Sequence, residues 1–398
     1  MHAEPLYLVK EQDRRIRAGH CWVYSNEIDG GRSPLKAYQA GQPVDIITHQ
    51  GKWMGSGYVN PHSLICARLV SRDHDYSLGV SLMVHRLKVA LSLRERLFAR
   101  PYYRLIFGES DGLPGLVVDR YGDVLVVQLN TAGMEWVKGE VITALEKVLR
   151  PSCIILRNDS PVRESEGLEL YVEVPVGERP DFLEIEEGGC RFQVAVTEGQ
   201  KTGWFFDQAS NRSRMIPYVR NRRVLDVCSY VGAWGIRALS AGAAEAFCVD
   251  SSGMALEQAQ NNAAINGVQE RLATLEGDAF VALRELRNES QRFEVVIVDP
   301  PAFIKRRKDV KAGMLAYRRL NQAAMQLLAK DGILITSSCS YHMSGEHLVQ
   351  TLQKAARHLD RSLQLLEQGA QSPDHPIHTA IPETAYLKTY MLRVLPSF

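Results

Sequence analysis

The chain has 398 residues, enough for two or three domains that each bury a core. Lys plus Arg number 47 against 46 Asp plus Glu, a net charge of +1, so contact with a polyanion must come from local basic patches and not from a global field. The seven Cys are scattered without a CxxC pair, which argues against a disulfide framework and a zinc site, and no apolar run reaches the length of a membrane span.

Up to about residue 75 the chain reads as short strands broken by Gly, Pro and Asn. VDIIT (44–48), KWMGSGYVN (52–60) and LICARLV (64–70) have strand lengths and turn residues between them, which predicts a compact β-barrel. Ahead of them KEQDRRIRAGHCWVY carries Arg14, Arg15, Arg17 and Trp22. Cations interleaved with an aromatic suit a nucleic-acid backbone and a stacked base; a solvated helix face followed by a core Trp is the plain alternative. The start of the chain, MHAEPLYLVKEQDRR, has no apolar signal-like core, and with the cysteine usage this leads us to expect a cytoplasmic protein with no membrane partner.

Residues 76–185 read as a middle α+β domain. A helical pattern over 78–98 is followed by β-rich runs with Gly112 and Gly122 in turns, a helix over 134–150, and the strand CIILRND (153–159). Glu109, Asp111 and Asp119 could cluster on a metal, but turn polarity is the simpler reading.

From residue 186 to the end the pattern becomes βαβ. VLDVC, AFCVD, LATLEGD, EVVIVDP and GILITSSCS alternate with helices, and LQLLEQG and YLKTYMLRVL are further strands. This is an α/β, doubly wound parallel sheet. Polar groups recur at the carboxyl ends of successive strands: Asp226 to Ser229, Asp250, Asp278, Asp299, and Ser338 to Ser340. With neighbouring strands roughly 5 Å apart, these groups converge on one rim.

The turn CSYVGAWG (228–235) lacks the glycines of a dinucleotide fingerprint, so close approach of a pyrophosphate is poorly supported. A nucleoside with a charged amino-acid tail fits better. Asp250 can accept from both ribose hydroxyls and Asp278 from an adenine amino group, which points to S-adenosyl-L-methionine. In VIVDPPAF (296–303), Asp299 stands before a rigid Pro-Pro turn, suited to the ring-nitrogen edge of a base with Phe303 available to stack. Lys305, Arg306 and Arg307 follow as candidate phosphate contacts, or as a solvated charge run. Cys339 ends the next strand. A thiolate adding to carbon 6 of a cytosine makes carbon 5 nucleophilic enough to take a methyl group; the plain alternative is a small buried hydrophobe.

With these residues in hand, the chain resembles the PUA-domain-containing ribosomal RNA cytosine-5 methyltransferases of bacteria over essentially its whole length. The matching blocks are GHCWVY, KWMGSGYVN, GESDGLPGLVVDRYGD, GQKTGWFFDQ, VLDVCSYVGAWG, VDPPAF, SCS, and DHPI with PETAYLK near the end. The resemblance implies a PUA-like RNA-binding barrel over 1–75, the middle domain, and a class I, Rossmann-like methyltransferase domain over 186–398. It places Thr202, Phe206 and Asp207 at the cofactor with Asp226, Ser229, Tyr230, Gly232, Asp250, Asp278 and Asp299. It makes Cys339 the attacking thiol and Asp299 the group that positions the base. Ribosomal RNA is the implied partner, no metal is implied, and a homodimer is admitted without being required.

Three positions depart from the family pattern. Cys21 replaces a Pro in the opening block, Ala209 replaces an Arg after Asp207-Gln208, and Ala302 stands where many RNA cytosine-5 methyltransferases carry a second Cys. The group that removes the carbon-5 proton is therefore unassigned. The rival readings are an enzyme of the same fold that modifies guanine or another base with Cys339 structural, and a non-catalytic RNA-binding factor.

Overall fold

The computed structural model describes residues 3–196 and 202–397, and the chain divides into two compact units. The first comprises Met1–Leu183, Ala195–Phe206 and Pro373–Thr384; the second comprises Glu184–Val194, Asp207–Ser372 and Ala385–Phe398. Among the described residues no helix is long and apolar enough to cross a membrane.

The first unit holds two five-stranded sheets. One runs in the order Glu4–Tyr7, Pro43–Ile47, Trp53–Val59, Ala67–Ser71, Trp22–Val23, over a core that includes Leu6, Val23, Val44, Ile46 and Leu69. The other orders Tyr171–Val176, Cys153–Asn158, Val124–Leu129, Leu116–Tyr121 and Tyr102–Phe107, and the helices Val80–Leu97 and Lys138–Leu149 contribute to its core. Gly122, at φ 66°, turns the chain between two of these strands as its sequence context suggests. The single helix expected over 134–150 is two, Ala132–Trp136 and Lys138–Leu149, because Val137 leaves helical geometry between them at φ −106° and ψ 28°. The three acidic residues of this region are each engaged: Asp111 is bidentate to Arg94, Asp119 is bidentate to Arg104, and Glu109 accepts from the indole of Trp22.

The second unit is built on a seven-stranded sheet. We number its elements in chain order: β1 (Arg223–Val227), α1 (Ala233–Ser240), β2 (Glu245–Asp250), α2 (Gly253–Ile265), β3 (Leu272–Glu276), α3 (Ala279–Asn288), β4 (Phe293–Val298), α4 (Val310–Leu327), β5 (Leu328–Ser338), α5 (Gly345–Arg357), β6 (Arg361–Gly369) and β7 (Lys388–Pro396). The spatial order is β3-β2-β1-β4-β5-β7-β6. The first five of these run parallel, and β7 lies antiparallel between β5 and β6. Apolar runs such as Phe293–Val298 fit a strand covered on both faces, and Val296, Val298, Leu225 and Val227 are fully buried. The strand order reverses at β1, whose successor β2 lies on one side and β4 on the other; ligands collect at such a crevice.

A buried ion cluster lies within this unit, centred on Glu187 of the segment Glu184–Val194. Glu187 accepts from Arg212 at 2.6 Å on each of its carboxylate oxygens and from Arg237 at 3.0 Å, with side-chain exposures of 10%, 2% and 5% in that order. Removing the carboxylate leaves two guanidinium groups without their anion in a site poor in water. We expect Glu187→Gln to lower unfolding free energy by about 3–5 kcal/mol, measured by urea denaturation; a loss below about 1 kcal/mol would show the cluster to be solvated.

Candidate active site

The carboxyl ends of the parallel strands meet as register requires. The Ser229 N–H donates to the Val249 carbonyl, the Asp299 N–H to the Val227 carbonyl, and the Gly277 N–H to the Asp250 carbonyl, so the ends of β1, β2, β3 and β4 are laced into one rim. The turn after β1 is tight. Cys228 (φ 63°) and Tyr230 (φ 51°) adopt left-handed backbone although neither is Gly, and Gly232 (φ 79°) opens α1. Two such non-Gly residues cost on the order of 1–3 kcal/mol each and persist only where their surroundings impose them, as at ligand-binding turns. Here Asp250 imposes part of the geometry: its Oδ2 accepts from the Tyr230 N–H at 2.8 Å and its Oδ1 from the Ser252 N–H at 3.0 Å. A β-carbon on Gly232 would lie 3.0 Å from that of Ala259, so the turn is close against α2.

Two carboxyl groups stand at this turn with raised affinity for protons. Asp226 is buried at the end of β1 and accepts from the Gly235 N–H at 3.0 Å; burial pushes it up to about 7, with Asp299 and Asp250 adding in the same direction. Asp299 accepts from Gln208 Nε2 at 2.9 Å and from Trp234 Nε1 at 3.1 Å. Burial lifts it to about 6, although these two donors and Arg212 oppose the shift. Near neutral pH Asp299 is therefore a fixed carboxylate that can still take up a proton.

Cys339 follows β5 on a clamped turn. Ser338 Oγ donates to the Tyr317 hydroxyl at 3.0 Å, and Ser340 Oγ lies 3.1 Å from the same hydroxyl while accepting from the Ile304 N–H at 3.2 Å. The two serines thus face the core around Tyr317, and half-buried Cys339 has its Sγ 4.0 Å from the Pro300 carbonyl, beside the Asp299-Pro300-Pro301 turn. The rim carries, within one unit, an acidic turn, a carboxyl able to meet a ring-nitrogen edge, and a thiol next to it.

Comparison with known proteins follows from this geometry. Residues 6–72 match the PUA-like domain family, and residues 169–393 match the S-adenosylmethionine-dependent methyltransferase family. The chain is 38% identical over 395 residues to the "Ribosomal RNA large subunit methyltransferase I" of Erwinia tasmaniensis, covering 98% of this chain and 99% of that protein. Its identity to the protein of the same name from Shigella boydii is 37% over 396 residues, with 98% and 99% covered. The chain belongs to this methyltransferase family. A solved structure of SMU.776 with SAH superposes with a TM-score of 0.81 over 99% of this chain and all of that one, at 19% identity, a likeness of fold.

As a member of that family the protein uses S-adenosylmethionine, and its residues fit the cofactor. Ser229 Oγ and Asp226 Oδ1 are buried and have no hydrogen-bond partner among the described residues, so the turn offers an acceptor and a hydroxyl to a ligand. Asp250 keeps lone pairs on both oxygens beyond its two backbone donors. The other expected residues are distributed as follows. Asp278 is exposed and its Oδ1 caps α3, accepting from the Phe280 and Val281 N–H groups, which leaves Oδ2 for a ligand. Asp207 accepts from the Tyr386 hydroxyl at 2.6 Å. Thr202 and Phe206 lie in the first unit, where the Thr202 hydroxyl bonds to Asp119 at 2.5 Å and Phe206 packs against Tyr121. Gly199, Gln200 and Lys201 of the GQKTGWFFDQ block lie outside the described residues.

The expected RNA contacts of the N-terminal segment each have an acidic partner. Arg14 bonds to Glu11, Arg15 is bidentate to Glu27, Arg17 bonds to Asp13, and Trp22 is half-buried on Glu109. Lys305, Arg306 and Arg307 are exposed, with Arg306 3.6 Å from Asp309. Phe303, read as a stacking ring, packs on Tyr317 with centroids 4.8 Å apart and adjoins the core.

Sequence reasoning passed over Gln208, Trp234, Phe280, Tyr386 and Lys388. Gln208 and Trp234 hold Asp299, and Phe280 is 39% exposed on the rim next to Asp278. The signal for Phe280 was an aromatic two residues past an acidic strand end; Tyr386 and Lys388 were visible only as letters of a matched block.

Asp226 supplies a pH test. The folded carboxyl holds its proton to about pH 7, and the unfolded one releases it near 3.8. Between those values the native state binds more protons, so this group's contribution to stability falls as pH rises. We expect Asp226→Asn to reduce the fall in urea midpoint between pH 5 and pH 7.5; an unchanged profile would mean the carboxyl titrates normally.

Proposed function

We propose that the protein methylates carbon 5 of a cytosine in large-subunit ribosomal RNA through a covalent bond to Cys339. The observation that carries this reading is the thiol beside the Asp299-Pro-Pro turn, with Sγ 4.0 Å from the Pro300 carbonyl. The substrate class comes from the two relatives, whose names specify ribosomal RNA of the large subunit.

The chemistry runs on the chain's own groups. The bound cofactor supplies an electrophilic methyl group. The Cys339 thiolate adds to carbon 6, forming an S–C bond and moving electron density to carbon 5. Asp299, lifted by burial to about 6 against its two donors, hydrogen-bonds the ring-nitrogen-3 edge in its protonated form and gives that proton to the charge arriving there. After carbon 5 gains the methyl group its proton passes to solvent, nitrogen 3 returns its own proton to the Asp299 carboxylate, and the electron pair of the C5–H bond forms the ring double bond as the S–C bond breaks to release the thiolate. A paired or stacked cytosine must swing out of its helix to meet these groups. Arg14, Arg15, Arg17, Trp22, Lys305, Arg306 and Arg307 are proposed RNA contacts, and Thr202, Phe206, Asp207, Asp226, Ser229, Tyr230, Gly232, Asp250 and Asp278 are proposed cofactor contacts.

The test incubates the protein with methyl-labelled S-adenosylmethionine and unmodified ribosomal RNA and identifies the labelled nucleoside. We expect 5-methylcytidine from the native chain and none from Cys339→Ala, which should still bind the cofactor normally; recovery of a methylguanosine, or full activity in the variant, defeats the proposal. Asp250→Ala should weaken cofactor binding about tenfold to a hundredfold by calorimetry, the loss expected when charge-assisted hydrogen bonds go. An affinity unchanged within about twofold would move the ribose elsewhere.

A further inference from the structure

A thiol becomes an effective nucleophile only when something nearby favours its anion. We propose that Lys388 is the positioning residue that does this for Cys339: its ammonium group is tied across the Ser338–Ser340 turn and stabilises the thiolate. The inference rests on the reading of Cys339 as nucleophile and adds the group that activates it.

The placement follows from sheet register. β7 runs antiparallel to β5, with Ser337 opposite Thr389 and Ser338 opposite Lys388, so Lys388 is the last paired residue before the Cys339 turn. From there Nζ donates to the Ser340 carbonyl at 2.7 Å and to the Tyr386 carbonyl at 2.8 Å. The side chain therefore reaches past Cys339 to the residue after it. Two carbonyl oxygens accept two of the three ammonium protons and bring no countercharge. The side chain is half-buried, and burial pushes Lys388 down to about 8, with the Cys339 thiolate acting in the opposite direction. A cation in that position gains from an adjacent anion as much as the thiolate gains from it.

Other described groups near the thiol play different parts. Tyr317, from α4, is engaged with Ser338 and Ser340 and is pushed up by burial. At the end of β4 stand the Pro300 carbonyl and the Asp299 carboxyl, both of which disfavour a nearby anion. Lys305, next after Ile304, is exposed, and so is Tyr341. His342 is half-buried on the following turn, and the Asp207 carboxylate is engaged by the Tyr386 hydroxyl. In the deprotonation the S–H bond breaks, the proton leaves to solvent, and the electron pair stays on sulfur beside the ammonium.

The experiment measures alkylation of Cys339 by iodoacetamide from pH 6 to 10 in the full chain without RNA, quantified by peptide mass spectrometry. Half-buried Cys228, pushed up by burial, serves as the internal reference. Lys388→Met and Lys388→Gln should move the midpoint of the profile up by a unit or more, so that Cys339 reacts about tenfold more slowly at pH 7. Lys388→Arg, which keeps the charge, should stay within about threefold of the native rate. A purely structural clamp predicts that Gln, which can still donate to the carbonyls, leaves the profile in place; a native profile in any folded neutral variant overturns the proposal. Methyl transfer by the native chain and by Cys339→Ala is assayed in parallel. Activity in Cys339→Ala defeats the nucleophile reading whatever the alkylation gives. Inactivity there together with a native profile in the neutral Lys388 variants defeats the Lys388 inference alone.

Discussion

Two carboxyl groups at neighbouring strand ends, one fully and one partly buried, are the constraint around which the second unit is arranged. Asp226 is buried on β1 itself and Asp299 follows β4, the neighbouring strand. Each anion would destabilise the fold unless donors met it, and the donors come from separate elements. The Gly235 N–H and the Trp234 indole come from α1, and the Gln208 amide from the segment ahead of β1. Gln208 is held in turn by Asn211, whose amide also reaches Thr389 on β7. The carboxyls thereby bind α1, the pre-β1 segment and the last strand to one point. The strained backbone at Cys228 and Tyr230 is tolerated at the same place because Asp250 accepts the Tyr230 N–H.

Much of this was legible in the amino-acid sequence because parallel strands have a strong local signature. VLDVC, AFCVD and EVVIVDP are mostly apolar runs that carry an acid at or near the carboxyl end, and the order in which they occur implies a common rim. Asp299 and Cys339 could be singled out for the same reason: each ends a strand. The support beneath them could not. Gln208 precedes β1 by some length of chain, Trp234 reads as an apolar helix residue, and whether either meets Asp299 is a matter of tertiary packing. Phe303 shows the same limit, since an aromatic after Pro-Pro has no local mark to announce its packing on Tyr317.

The position of β7 was the least predictable part. A chain-order reading places the strand over residues 386–395 at an edge, after LQLLEQG. In the sheet it is inserted between β5 and β6, antiparallel to both. Such pairing depends on long-range closure and leaves no periodic trace in the strand itself. It is also what brings Lys388 opposite Ser338.

The basic N-terminal segment shows how a charge pattern can exceed its available charge. Arg14, Arg15 and Arg17 were attractive as phosphate ligands by spacing, yet each has an acidic neighbour in Glu11, Glu27 or Asp13. Arg14 and its partner are both well exposed, and an exposed pair is worth at most about 1 kcal/mol, so exchanging Glu11 for a phosphate costs little. Arg15 differs. Its partner Glu27 is buried and also accepts the Tyr24 N–H, closing the turn that leads into Ser25–Glu27. Releasing Arg15 would leave that buried carboxylate without its cation, so Arg15 meets a phosphate most cheaply while it keeps Glu27. Three cations of similar sequence character therefore separate by what their partners lose, a distinction set by burial and absent from the string of letters.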